Sequence, residues 1–244
     1  MRKHYALVPA AGSGTRFSAG FSADLTAALP KQYSPLLGRP LLFHSLRVLC
    51  LCPWIERVWV VLSPSDTFWQ DYDWSALGAK LELLFCGAET RAQSVRNGLL
   101  AAETVATADD WILVHDAARP CLSSAQLQAL ADGLVDDPVG GLLAMPVADT
   151  VKRGDAAQRV LATLERTELW LAQTPQMFRY GVLARALLDA RSGALAPTDE
   201  ASAVEALGLQ PKLIVANGEN LKVTYAADLA LAEAILRWRE QRAI

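Results

Sequence analysis

The sequence predicts an α/β fold, a mostly parallel sheet with helices on both faces, and three observations predict it. Short apolar runs alternate with longer stretches of helical periodicity along the chain, the pattern of successive strand–helix units. Several apolar runs end in glycine, aspartate or lysine, and in open α/β sheets ligands sit at the carboxyl ends of strands. The 244 residues are 52% hydrophobic, enough for a sizeable core, and no low-complexity linker or internal repeat divides them. A single domain over residues 1–244 is therefore expected.

The elements follow in order. Strands are predicted at residues 5–9, 58–63, 81–85, 111–115, 141–146 and 212–215, and helices at 41–51, 91–105, 124–135, 182–190, 200–207 and 226–242. Between residues 147 and 173 the alternation fails. Two extended runs, Thr150-Val151-Lys152-Arg153 and Val160-Leu161-Ala162-Thr163-Leu164, flank a Gly154-Asp155 turn and read as a β-hairpin. Such an arm leaves strand edges uncovered, and Leu161, Leu164, Leu169 and Trp170 require burial, so pairing with a second subunit is predicted.

The first strand runs into Pro9-Ala10-Ala11-Gly12-Ser13-Gly14-Thr15-Arg16, and Pro30-Lys31-Gln32 follows. Glycines here would let backbone N–H groups turn inward as a nest for phosphate oxygens, with Arg16 and Lys31 adding full positive charge. A nucleoside triphosphate site is the first hypothesis; a plain glycine-rich turn with Arg16 in solvent is the alternative. The loop lacks the Gly-Lys-Ser/Thr of a Walker loop, and Phe17 stands where the dinucleotide fingerprint expects a third glycine.

Three further segments bear on that choice. Trp111-Ile112-Leu113-Val114 delivers His115-Asp116-Ala117-Ala118-Arg119-Pro120, and an aspartate at a strand end is a natural ligand for magnesium; it would otherwise cap a helix or pair with Arg119. Gly87-Ala88-Glu89-Thr90-Arg91-Ala92-Gln93-Ser94 opens a helix: Gly87 allows backbone to approach a flat base and Ser94 is a polar contact, while the plainer reading is a capped helix start with Arg91 in solvent. Asn220-Leu221-Lys222-Val223-Thr224 carries a lone lysine before a long helix, in isolation an ordinary surface residue.

Composition narrows the partners. A net charge of −3 without a long basic run gives no reason to expect nucleic-acid binding. The four cysteines form no Cys-x-x-Cys pair, so neither zinc nor a disulfide framework is expected and the cytoplasm is the expected compartment. Residues 41–55 are broken by His44 and Arg47, so no membrane span is expected.

In their order and separation, Pro-Ala-Ala-Gly-Ser-Gly-Thr-Arg, Pro-Lys-Gln, Val-His-Asp-Ala-Ala-Arg-Pro, Asp-Thr-Val-Lys, Leu-Ala-Gln-Thr-Pro-Gln, Thr-Asp-Glu-Ala-Ser and Asn-Leu-Lys-Val-Thr resemble the cytidylyltransferases of the non-mevalonate isoprenoid pathway, from about residue 6 to about residue 233. The resemblance implies a Rossmann-like nucleotidyltransferase fold with a projecting β-arm at 147–173 that exchanges across a homodimer. It implies transfer of a cytidylyl group from CTP to 2-C-methyl-D-erythritol 4-phosphate, with Mg2+ as cofactor. It also implies roles: Arg16, Lys31 and Lys222 at the α-phosphate; Ala10, Ala11, Gly12, Ser13, Gly14, Gly87, Ser94 and Ala117 around the nucleotide; Asp116 at the metal or the second substrate; and Thr150, Arg166, Thr174 and Thr198 at the second substrate, partly from the neighbouring subunit. The 17–29 stretch is longer than the family's pattern, and Cys86 and Ala88 stand where a glycine and a polar residue are usual. Related readings are a ribitol 5-phosphate cytidylyltransferase, a sugar-nucleotide synthase using UTP or GTP, and a nucleotide-binding module without catalysis.

Overall fold

The structure, a computed structural model, describes residues 2–12, 29–188 and 197–242. A seven-stranded mixed sheet forms its centre. Among the described residues the strands are, in chain order, β1 (His4–Pro9), β2 (Pro35–Leu36), β3 (Arg39–Pro40), β4 (Arg57–Val61), β5 (Leu81–Leu84), β6 (Trp111–Val114), β7 (Gly140–Pro146), β8 (Val151–Gly154), β9 (Val160–Leu164), β10 (Trp170–Arg179) and β11 (Lys212–Val215). The central sheet has the order β11-β7-β10-β6-β1-β4-β5. Its neighbours are parallel except at β10, which runs antiparallel to both β6 and β7.

Side chains alternate across the sheet, and this two-residue period divides the core into two layers. Ala6, Val8, Val58, Val60 and Leu113 face the helices α1 (Leu41–Cys50) and α3 (Ser124–Leu134), where Leu42, Leu46, Leu127 and Leu130 meet them. Tyr5, Leu7, Trp59, Val61, Ile112 and Val114 face α2 (Arg91–Ala102), α4 (Tyr180–Leu188) and α5 (Glu200–Glu205), where Val95, Leu99, Leu183 and Val204 close the other side. The last helix, α6 (Ala226–Arg242), packs Ala232 beside Leu36, Leu41, Cys121 and Val223. Thr90, Ser123 and Asp199 each form a capping box at the start of α2, α3 and α5, which satisfies helix N–H groups that lack a partner within the helix.

The largest departure from expectation is β10, ten residues near the middle of the sheet. Its sequence, Trp-Leu-Ala-Gln-Thr-Pro-Gln-Met-Phe-Arg, hides the strand because proline and three buried polar residues interrupt the apolar pattern. The register shifts between Ala172 and Gln176. Gln173 donates to the Asn217 carbonyl, and Gln176 both donates to Asp199 and accepts from Ala201 N–H. These bonds offset the desolvation that would otherwise keep such side chains outside.

The hairpin is present as β8–β9, a separate two-stranded sheet with a register irregularity at Gly154. The projecting segment is shorter than 147–173, however. Trp170 and Leu171 already pair with Pro146 and Met145 of β7 and belong to the central sheet.

Candidate active site

The carboxyl ends of β1 and β6, the start of α2 and the segment before α6 converge on a crevice of about 220 Å3, lined by Ala10, Ala11, Gly12, Lys31, Ala88, Ser94, Asp116, Ala117 and Lys222, among others. A larger cavity of about 620 Å3 lies between α1, α3 and α6. It lacks the cluster of paired charges that marks the smaller crevice.

The floor is backbone. Ala10 N–H donates to the Val61 carbonyl across the end of the sheet, and the buried Gln32 side chain donates to the Ala10 carbonyl at 2.8 Å. Gly87 lies so close to this loop that a Cβ there would stand 2.3 Å from the Ala11 Cβ and 2.6 Å from the Leu62 carbonyl oxygen. Only glycine fits that approach. Ser94 accepts from Ala88 N–H and also contacts the Thr90 carbonyl, so its hydroxyl shapes the turn beside Gly87.

The wall is a chain of charges. Asp116 is 6% exposed. Its Oδ1 accepts from Arg91 Nε at 2.7 Å and its Oδ2 pairs with Lys222 Nζ at 2.7 Å, with Arg119 Nε 4.0 Å away. The rest of the Arg91 guanidinium grips Glu200 with two hydrogen bonds of 2.7 and 3.0 Å. Burial pushes the Asp116 carboxyl up, but Arg91 and then Lys222 outweigh it and hold the group well below the usual carboxylate range. Glu200, also fully buried, is pushed up by burial, which Arg91 offsets only in part.

Behind Asp116 sits a hydrogen-bond relay that fixes its backbone. The buried His115 ring is neutral, since burial lowers its pKa to about 4. Its Nε2 lies 3.2 Å from the Arg119 carbonyl, which only accepts, so that nitrogen carries the proton and Nδ1 accepts from the Thr174 hydroxyl at 3.1 Å. The same hydroxyl accepts from Asp116 N–H at 3.0 Å.

Both lysines line the crevice. Lys31 belongs to a single 3-10 turn, Lys31–Tyr33, and donates to the Val223 carbonyl at 2.8 Å. Lys222 is the residue before Val223, and Val223 N–H in turn bonds the Ala118 carbonyl. Buried Asn220 holds this segment, donating to Gln173 Oε1 and the Thr174 carbonyl while its own carbonyl accepts from Arg119.

The remaining expected residues lie elsewhere. Thr150 and Arg166 are exposed at the base of the β8–β9 arm, and the Arg166 guanidinium bonds the Ala148 carbonyl. Thr198 is exposed just before the Asp199 cap, its backbone N–H bonded to Ser202. Thr174 is 5% exposed, its hydroxyl committed to the relay. Ser13, Gly14 and Arg16 fall outside the described residues.

Sequence reasoning missed Arg91, Gln32, Asn220 and Glu200. Arg91 reads as the exposed first residue of a helix, and its cap is indeed Thr90, yet the guanidinium turns inward to two carboxylates. The available signal was a charged residue, Glu200, directly after a capping aspartate and before Ala201, Ala203 and Val204 of the same helix.

The donor set for the implied metal was Asp116. Both its oxygens hold cations, and among the described residues no group of three or more His, Cys, Asp or Glu side chains is placed to hold an ion. The described residues therefore do not by themselves form a resident magnesium site, and the Asp116 carboxylate is engaged by Arg91 and Lys222. No helix among the described residues is long and apolar enough to cross a membrane.

The chain is similar to known proteins over nearly its whole length. The family profile of IspD, 2-C-methyl-D-erythritol 4-phosphate cytidylyltransferase, matches residues 4–238. The enzyme of that name from Dechloromonas aromatica is 62% identical over 240 residues, covering 98% of this chain and all of the relative, and the one from Aromatoleum aromaticum is 55% identical over 96% of this chain and 95% of its own. A crystal structure of 4-diphosphocytidyl-2C-methyl-D-erythritol synthase superposes with a TM-score of 0.81 at 39% identity, covering 97% of this chain and 99% of the other. The Francisella tularensis cytidylyltransferase superposes with a TM-score of 0.75 at 32% identity, covering 96% and 99%. With the family profile, the superposed fold and the near-full-length identity in agreement, the chain belongs to the 2-C-methyl-D-erythritol 4-phosphate cytidylyltransferase family.

Proposed function

We propose that the crevice at the ends of β1 and β6 carries out the family's reaction through Lys31 and Lys222, with Arg16 as a third cation. In that reaction a phosphate oxygen of methylerythritol phosphate attacks the α-phosphorus of CTP, the new P–O bond forms, and the bond to the bridging oxygen of the departing pyrophosphate breaks. The attacking phosphate is already anionic at neutral pH, so no general base is required. The obstacle is bringing two anions together and stabilising charge at the α-phosphorus, which positioned cations achieve.

The observation that carries this reading is that two lysines, 191 positions apart in sequence, line one crevice, Lys31 bonded to the Val223 carbonyl and Lys222 paired with Asp116. Ala10, Ala11, Gly12 and Ser13-Gly14 would cradle the triphosphate, Gly87 and Ser94 would face the base, and Ala117 the ribose. Release of pyrophosphate from CTP in the presence of methylerythritol phosphate and magnesium, and its loss when any one reactant is omitted, is the expected result. Equal or faster release with ribitol 5-phosphate, or with UTP in place of CTP, would overturn the assignment of substrates.

The arm belongs to the same reading. Val160 and Leu161 on β9 are 65% and 61% exposed, and Leu164, Leu169 and Leu171 are also open, an apolar surface that a second copy would cover. In such a homodimer Thr150 and Arg166 would reach the partner's second substrate, where a guanidinium can bind two phosphate oxygens at once. Thr198 would lie near the same substrate, and Thr174 would act by fixing Asp116. Arg166→Ala is expected to raise the KM for methylerythritol phosphate by about 10-fold or more, the scale of a charge-assisted hydrogen bond, with the KM for CTP unchanged. Unaltered kinetics toward the phosphoalcohol would remove the arm from the site.

A further inference from the structure

Glu200 lies outside the crevice lining, yet it is 1% exposed and ionically engaged. Its place is set from two directions. Asp199 caps α5 through Ser202 N–H, and Gln176 of β10 bonds both Asp199 Oδ2 and Ala201 N–H. The carboxylate between them is thus held by the sheet itself. It receives both terminal nitrogens of Arg91, leaving only the Nε edge of that guanidinium for Asp116. Asp116 consequently meets Arg91 with one oxygen and keeps the other for Lys222. The charges alternate along one line: Glu200, Arg91, Asp116, Lys222.

We infer that Glu200 is a positioning residue for the transfer, acting through Arg91 and Asp116 to hold Lys222 where the α-phosphate arrives; this rests on the reading of Lys222 given above. The physical reason is competition for one carboxylate. A guanidinium prefers to bind a carboxylate with two parallel N–H groups. Deprived of Glu200, Arg91 turns that fork onto Asp116, neutralises it, and takes the oxygen that Lys222 uses. Lys222, at 40% side-chain exposure, then swings into water. A pair that served the fold alone would not be coupled to Lys222 in this way.

The test is a double-mutant cycle in the full chain, read as kcat and KM for both substrates. Glu200→Gln keeps the shape and removes the charge. It is expected to lower kcat by about 10-fold in the parent chain, with the KM for CTP within about 2-fold, and to have an effect under about 2-fold once Lys222→Ala is present, because groups that act as a unit are not additive. Equal losses in both backgrounds, or a change confined to KM, would overturn the inference while leaving the role of Lys222 intact. Parent-like turnover in Lys222→Ala alone would overturn the reading of Lys222 and the inference with it. Should Glu200→Gln not fold, Arg91→Met/Glu200→Gln removes both members of that buried pair together, which chains tolerate better than losing one. With no guanidinium left to compete for Asp116, Lys222 keeps its oxygen and kcat is expected within about 3-fold of the parent, whereas a loss of about 10-fold or more would overturn the inference.

Discussion

Asp116→Asn is expected to reduce turnover by about 10²-fold or more and to lower the unfolding free energy by about 3 kcal/mol, the lower end of the range for breaking a buried ion pair. The low end applies because Lys222 is 40% exposed in its side chain and can be rehydrated, whereas Arg91 and Arg119 are largely enclosed. The activity loss follows from position. Asp116 orients Lys222, while its N–H, fixed by Thr174, would remain in place in the variant, so the fold of the loop should survive. The pH dependence separates this account from simple loss of packing. Asp116 titrates below its ordinary range in the folded chain. Its contribution is therefore fully present above the unfolded carboxyl value of about 4 and is lost as pH falls through the folded value. Denaturant titrations should show a constant gap between the parent and Asp116→Asn above about pH 5, a gap that begins to narrow below that and is already smaller at about pH 3, with the loss continuing at lower pH. A gap that persists undiminished at pH 3 would mean that the carboxylate charge is not what holds the site.

The residues whose placement could be read from sequence are those whose role is local. A strand that ends in small residues and glycine, or in aspartate, points at a crevice because strand ends in α/β sheets do so generally. Ala10, Ala11, Gly12, Asp116 and Ala117 accordingly meet there. Helices with a Thr or Ser cap and a glutamine three residues on, such as α2 and α3, could be bounded to within a few residues. What remained hidden depends on partners distant in sequence. Arg91 is 109 positions from Glu200, and no local pattern distinguishes a paired arginine from a solvated one. The same holds for β10, whose buried Gln173 and Gln176 make sense only once Asn217 and Asp199 are beside them. Its central place in the sheet also explains why the arm is shorter than the irregular sequence implied: Trp170 onward is recruited by β7.

Lys31→Ala offers the cleanest separation of charge from fold. The turn that carries Lys31 is held by other groups: Tyr33 N–H bonds the Pro30 carbonyl, Gln32 bonds the Ala10 carbonyl, and the Tyr33 hydroxyl bonds Asp66 at 2.8 Å. Tyr33 is fully buried and stacks on Tyr72. None of these contacts uses the lysine ammonium, and its bond to the Val223 carbonyl is one of the interactions the substitution removes, each worth about 1 kcal/mol of stability at a typical net value. Turnover should nonetheless fall by about 10²-fold or more, because losing one stabiliser of transition-state charge raises the barrier by roughly 2.7–4 kcal/mol. Lys31→Arg should recover only part of that loss, since a planar fork does not place its charge where a compact ammonium does. Pyrophosphate release under saturating CTP and methylerythritol phosphate, set beside thermal unfolding of the same preparations, checks both halves. Stability lost in proportion to activity would make Lys31 a tether between its turn and the segment around Val223. Activity retained with the fold intact would remove it from the α-phosphate altogether, and with it the convergence of cations on which the proposed transfer depends.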